Sequence, residues 1–197
     1  LQGIPHNKLN EVDLFLEKIR IKRNRRNILQ IKKLNDLLPS EFAIDFEKDV
    51  LPLSMFGKGG SVTERHILFA LAKKIIKKYK DTQKIINFLK SELKIDLSQN
   101  NILKLTSSNA NREYEILNIL KSNLVPKFFI PNGNDVSDVK EIVKFAKEAG
   151  AIPTYCYLGD VCKSPTGDKK AQKFEDNYID ELFETIKALG FEAVAYM

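Results

Sequence analysis

The spacing of apolar residues divides the chain into two parts. Over residues 8–122, apolar side chains recur every three or four positions, which is the period of amphipathic helices. The first predicted helix is long and covers 8–38, with a break at 24–27 where Arg and Asn alternate and the apolar stripe changes phase. The last third repeats a different pattern of helix, glycine and short apolar run, at 139–158 and again at 178–197. That repeat predicts a parallel sheet or barrel of α/β class.

The change of pattern predicts two regions. We expect a mostly helical region at 1–123, followed at 124–197 by a partial (β/α) barrel or parallel sheet segment, so that the whole chain is α/β. The chain begins with leucine and ends on a predicted strand that nothing follows to cover, although both faces of a parallel sheet are normally buried. We therefore expect these residues to be an internal piece of a longer polypeptide.

The loop after the first predicted strand, residues 159–175, is the first candidate for chemistry. In parallel α/β folds, side chains and helix N-termini converge at the carboxyl ends of the strands. This loop is long and polar, and it carries Asp160 and Lys163. A solvated crossover loop would have the same composition, so both interpretations stay open.

A glycine run at 57–60 leads into the second candidate. Ser61 or Thr63 can cap the helix that follows, and Ser61 with Glu64 fits a capping box. A helix start placed there directs free backbone N–H groups toward any nearby anion. The stretch lacks the Gly-Lys-[Ser/Thr] ending of a phosphate-binding P-loop, and a hinge with a cap also accounts for it. The basic side chains within reach of such an anion are Lys58, Arg65 and His66.

The net charge of +6 and an isoelectric point near 9.1 permit a polyanionic partner. Much of the positive charge falls in two clusters on predicted helices: Arg20, Lys22, Arg23, Arg25 and Arg26, and then Lys73, Lys74, Lys77, Lys78 and Lys80. Each cluster can be the solvated face of a helix or a surface for phosphate or nucleic acid. Aromatic residues are scarce around both clusters in the sequence, which favours solvated faces.

The remaining composition, 43% hydrophobic and 29% charged, is that of an ordinary globular protein. No signal peptide and no apolar run of membrane-spanning length is present, so we expect a cytoplasmic protein with no membrane partner. Cys156 and Cys162 are too far apart for a redox pair and too few for a metal site, and we expect reduced thiols. With His6 and His66 as the only histidines, the chain contains no histidine-rich metal cluster.

The segments 146–160 and 189–194 resemble part of a polymerase-and-histidinol-phosphatase (PHP) domain. The segment 59–66 and the helices around it resemble the helical insert of some members. The resemblance implies a distorted (β/α) barrel whose strand ends hold divalent metals, such as Zn, Mn or Fe, that hydrolyse phosphate esters. The family's His-x-His motif is absent, and Tyr157 stands where a later ligand histidine is expected. A phenol is a poor metal ligand at neutral pH.

Two functions follow as expectations. The first is an enzyme fragment, a metal-dependent phosphoesterase with a helical cap, acting on a phosphorylated small molecule or nucleotide. The metal ligands would then lie in the full-length parent, and this chain alone would be inactive. The second is a non-catalytic helical module that binds nucleic acid, a nucleotide or a protein partner through its basic helices. In the enzyme, the substrate cleft would be lined by Lys58, Arg65, His66, Asp160 and Lys163.

Overall fold

The computed structural model describes residues 1–107, 111–131, 133, 136–157, 175 and 177–196. These residues are mostly helical and include one pair of strands, which confirms a mixed α/β chain with a helical N-terminal part. The helices are α1 (Leu9–Asn35), α2 (Glu64–Lys78), α3 (Thr82–Ser91), α4 (Gln99–Thr106), α5 (Arg112–Phe128), α6 (Val139–Glu148) and α7 (Ile179–Leu189). The strands are β1 (Thr154–Tyr157) and β2 (Ala193–Tyr196). No helix in the described ranges combines the length and the apolar character that a bilayer crossing requires.

The chain forms two compact units. We call Arg20–Pro131 the helical unit, and Leu1–Ile19 together with Asn132–Met197 the sheet unit. The sheet unit is discontinuous in sequence, and α1 contributes its first residues to one unit and the rest to the other. Helix α5 continues through residue 124 to Phe128, so the chain is still helical at the position where the apolar pattern changes.

The core of the helical unit lies mainly between α2 and α5. In α2, Ile67, Leu71 and Ile75 recur at intervals of four and are fully buried, because residues four apart lie on one face of a helix. Leu117 and Leu120 of α5 are also fully buried. Burying side chains of this size contributes about 1.5–3 kcal/mol each. The opposite side of α2 is therefore held at the surface in a fixed orientation.

The inward face of α1 is polar over its middle part, and α1 is continuous there. The predicted break at 24–27 was wrong, because the apolar stripe is replaced by buried polar residues and the helix is not interrupted. Asn27 and Gln30 are fully buried, and Arg20 is only 7% exposed. Asn27 Nδ2 donates to the carbonyl of Val62 at 3.1 Å, and Arg20 donates to the carbonyl of Gly59 at 3.2 Å. These bonds fasten the loop before α2 to α1.

In the sheet unit, β1 and β2 pair in parallel, with Thr154 opposite Ala193 and Tyr157 opposite Tyr196. The predicted parallel pairing of the last third is thus confirmed for these strands. Gly190 ends α7 with φ +90°, a left-handed conformation that glycine adopts without a steric penalty. The described strands form a two-stranded sheet and not a barrel.

Candidate functional site

The five residues predicted to bind substrate have different positions in the structure. Arg65 and His66 lie in the first turn of α2 and border the same cavity. Lys58 is exposed in the short turn Phe56–Lys58 and is not among the residues that line this cavity. Asp160 and Lys163 lie outside the described residues. The structure therefore brings two of the five together, at the start of α2.

Helix α2 is capped by a histidine side chain. The residue before the helix is Thr63, and its backbone N–H donates to Nδ1 of His66 at 3.1 Å. The predicted Ser61 and Glu64 box was wrong, because Glu64 is the first helical residue and the third helical residue, which closes a capping box, is His66. Glu64 instead accepts a hydrogen bond from Gln30 at 3.2 Å.

This contact fixes the state of the His66 ring. A backbone N–H can only donate, so Nδ1 accepts and the single proton of the neutral ring lies on Nε2. Burial, followed by the positive charge of Arg65, lowers the pKa of His66 below its usual value near 6.5. At neutral pH His66 therefore presents a neutral Nε2–H donor.

Beside this histidine, the surface between α2 and α5 contains a cavity of about 190 Å³. Two aromatic rings form part of its wall: Phe69 and Tyr114 have centroids 5.2 Å apart and planes 20° apart. Tyr114 is 48% exposed, so much of its surface is open to a ligand. Lys73 Nζ lies 5.4 Å from the centre of the Phe69 ring, within the range of a cation–π contact. The lining residues are Leu53, Arg65, His66, Phe69, Tyr114 and Leu117.

Sequence reasoning missed both aromatic residues. Phe69 follows the first turn of α2 and reads as part of an ordinary helix, and Tyr114 belongs to a different helix. The expectation that aromatic residues are scarce around the Lys73 cluster is wrong, because Tyr79 lies within the cluster and Lys73 Nζ lies 5.4 Å from the centre of the Phe69 ring. No local signal in the sequence predicts this pairing, because it depends on how α2 packs against α5.

Positive charge is concentrated in the helical unit. Residues 20–131 contain 22 Lys and Arg against 11 Asp and Glu, a formal charge of +11. The sheet unit contains 10 against 15, a formal charge of −5. The net charge of +6 therefore understates how basic the helical unit is. A field of this size attracts polyanions.

Ion pairs with carboxylates neutralise some of the basic side chains of the helical unit, and others form no such pair with a described residue. Lys74 pairs with Asp49 at 2.6 Å, and Lys78 pairs with Glu41 at 2.9 Å. Among the described residues no carboxylate pairs with Arg65, Lys73 or Lys77, which are exposed on the outer side of α2. The interpretation of both basic clusters as solvated faces needs one correction, since Arg20 is buried and bonded to Gly59.

The implied divalent metal does not find a donor set in the described part of the chain. No group of three or more His, Cys, Asp and Glu side chains is arranged there to hold a metal ion. Tyr157, which stands where the PHP resemblance expects a histidine, is 6% exposed and packs against the rings of Phe183 and Tyr196. Cys156 forms no disulfide with a described residue, and Cys162 lies outside the described residues.

A second polar pair lies in the sheet unit. The hydroxyl of Tyr155 donates to Oε1 of Glu175 at 2.6 Å, and Glu175 is 8% exposed. Burial and this hydrogen bond raise the pKa of Tyr155 to about 12. The phenol thus stays protonated at neutral pH and holds the glutamate in place.

Comparison with known proteins finds no matching family model, no matching curated protein and no matching solved structure.

Proposed function

We propose that the helical unit binds nucleic acid through the phosphate backbone. The observation that carries this proposal is the formal charge of +11 over residues 20–131, together with basic side chains on the outer side of α2 that no described carboxylate neutralises. Lysine and arginine contacts to phosphates release counterions, and this release supplies most of the affinity of sequence-independent binding. In this proposal the helical unit is a non-catalytic module that binds nucleic acid.

Two observations support this proposal over a surface that is merely solvated. Lys73 and Lys77 are one helical turn apart, and like charges at that spacing destabilise a helix. The Phe69 ring lies 5.4 Å from Lys73 Nζ and stacks on Tyr114, and aromatic rings beside basic residues are typical of proteins that bind single strands. An anionic partner would offset the repulsion between the two lysines.

The test is the salt dependence of binding to a fluorescein-labelled oligonucleotide, measured by fluorescence anisotropy between about 50 and 200 mM salt. We expect affinity to fall steeply with salt. The double variant Lys73→Glu with Lys77→Glu should bind about tenfold more weakly, or about 1.4 kcal/mol. If each lysine meets one phosphate, the slope of log K against log salt should shrink by about 1.4 for a single strand.

The matched control makes the same change of charge in the sheet unit, as Lys140→Glu with Lys187→Glu. Both lysines are exposed, so the control alters the net charge equally without touching α2. It should retain the affinity and the salt slope of the wild type. Equal losses in the two double variants, or no saturable binding by the wild type at low salt, would contradict the proposal.

The phosphoesterase, its barrel and its divalent metal stay predictions drawn from the PHP resemblance. These predictions place the metal ligands in a full-length parent chain. Elemental analysis of the parent beside this chain tests them. Stoichiometric metal in the parent alone would support ligands outside these residues.

A further inference from the structure

We infer that the cavity between α2 and α5 receives an unpaired base, so that the ligand of the helical unit is a single strand. This inference rests on the proposed function and specifies its ligand class. Its basis is a half-exposed aromatic ring beside a cavity that also has polar donors, all next to an uncompensated basic helix face.

The apolar part of the cavity suits a flat aromatic ligand. Tyr114 and Phe69 are nearly parallel and stacked, and much of Tyr114 remains open to solvent. Leu117 and Leu53 add apolar lining, with Leu117 fully buried. A base that stacks on such a ring gains about 1–3 kcal/mol whatever its identity, because every base has a π face.

The polar part of the cavity suits the groups attached to a base. Arg65 is exposed and forms no ion pair with a described residue, and it can reach a phosphate or a base carbonyl. His66 uses Nδ1 to cap α2, which leaves its Nε2–H as a second donor. Both side chains line the same cavity as Tyr114, so stacking and hydrogen bonding can occur on one nucleotide.

A duplex cannot use this cavity in the same way. Bases inside a duplex are stacked on their neighbours, and a face becomes available only when a base is unpaired and turned out. The phosphate contacts of α2 are open to both forms. The cavity should therefore add affinity for single strands and contribute little to the binding of duplexes.

The test compares Tyr114→Leu with the wild type. Leucine keeps an apolar side chain of moderate size and removes the π face, so loss of stacking is separated from loss of packing. We expect single-strand affinity to fall about 5- to 150-fold, which corresponds to the stacking of one base. Affinity for a duplex of the same sequence, and the salt slope of both ligands, should not change. Tyr114→Phe should bind as the wild type does.

A second measurement reports stacking directly. A strand that contains 2-aminopurine should lose fluorescence on binding to the wild type and to Tyr114→Phe, and keep it with Tyr114→Leu. The control Tyr178→Leu replaces a tyrosine of the sheet unit that is 61% exposed, and it should leave both readouts unchanged. Circular dichroism checks that each variant is folded.

The outcomes separate this inference from the proposed function. If the wild type binds duplex as tightly as single strand and Tyr114→Leu changes neither, the inference fails while phosphate binding stands. If the wild type binds neither form, both fail. Adenosine monophosphate is a further test of the inference. If it competes at concentrations far below those at which a single nucleotide is expected to compete with a strand, the inference is overturned, because the cavity is then a nucleotide site that needs no strand.

Discussion

The histidine cap of α2 allows a sharp test of how the candidate site is held in place. His66→Ala removes the acceptor of the Thr63 N–H, a half-buried hydrogen bond of 3.1 Å. A bond of this kind stabilises a protein by about 1 kcal/mol net, and the loss of a helix cap costs about 0.5–2 kcal/mol. His66→Gln places an amide oxygen at the usual acceptor position of a capping box, and should stay within about 0.5 kcal/mol of the wild type.

Acidity separates the two variants further. The pKa of His66 is lowered by burial and by Arg65, so at pH values between the lowered value and about 6.5 the unfolded chain binds more protons than the folded chain. The stabilisation is complete above the unfolded value and is lost as the pH falls through the folded value. His66→Gln has no proton to gain there, and it should become more stable than the wild type in acid.

The assay is urea unfolding followed by circular dichroism between about pH 8 and about pH 5. The other histidine provides the control, because His6→Gln changes an exposed residue of the sheet unit. His6→Gln is introduced into both the wild type and His66→Gln. The difference between their stability profiles against pH should stay the same. No loss of stability in His66→Ala would refute the capping argument. Parallel pH profiles for the wild type and His66→Gln would refute the lowered pKa of His66.

Three further predictions concern the packing and chemistry around this site. Leu71→Ala should lose about 2–5 kcal/mol of unfolding free energy in urea titrations, while Leu103→Ala, at a position 65% exposed, should lose about 0.5 kcal/mol or less. Gly60→Ala should lose about 1–3 kcal/mol, since its Cβ would lie 2.8 Å from backbone atoms of the preceding turn, whereas Gly57→Ala meets nothing within 4 Å. Tyr155→Phe should remove from the ultraviolet titration a phenol of pKa about 12, raised by burial and a hydrogen bond, and an unchanged curve would contradict that contact.

The sequence predicts well the features that depend on local periodicity. The period of apolar residues gave the helices of the N-terminal part, because a buried stripe must recur with the turn of the helix. Glycine marked the end of α7 and the parallel pairing followed from the repeat of helix and strand. The helices and their ends arise from neighbours within about 15 residues, which periodic patterns sample directly. The strand pairing joins distant residues, Thr154 to Ala193, and was predicted from the repeated order of helix and strand.

The predictions that failed concern features that depend on contacts between distant segments. Arg20 and Asn27 look like solvated residues of a broken helix, and they are buried because the carbonyls of Gly59 and Val62 accept their hydrogen bonds. A buried polar residue is acceptable only when its partner is present, and the partner lies on another segment. Tyr114 joins the candidate site for the same kind of reason, through the packing of α5 on α2.

The lysines of α2 make the strongest argument that its outer side is a binding surface. Lys74 and Lys78 lie one turn apart and repel each other. Each forms an ion pair with one carboxylate, Lys74 with Asp49 and Lys78 with Glu41. Lys73 and Lys77 have the same spacing and receive no such carboxylate from the described residues. The uncompensated pair lies on the side of α2 that carries Phe69 and the cavity. Neutralisation on one side and open charge beside aromatic rings on the other is the arrangement expected where the missing anions come from a ligand.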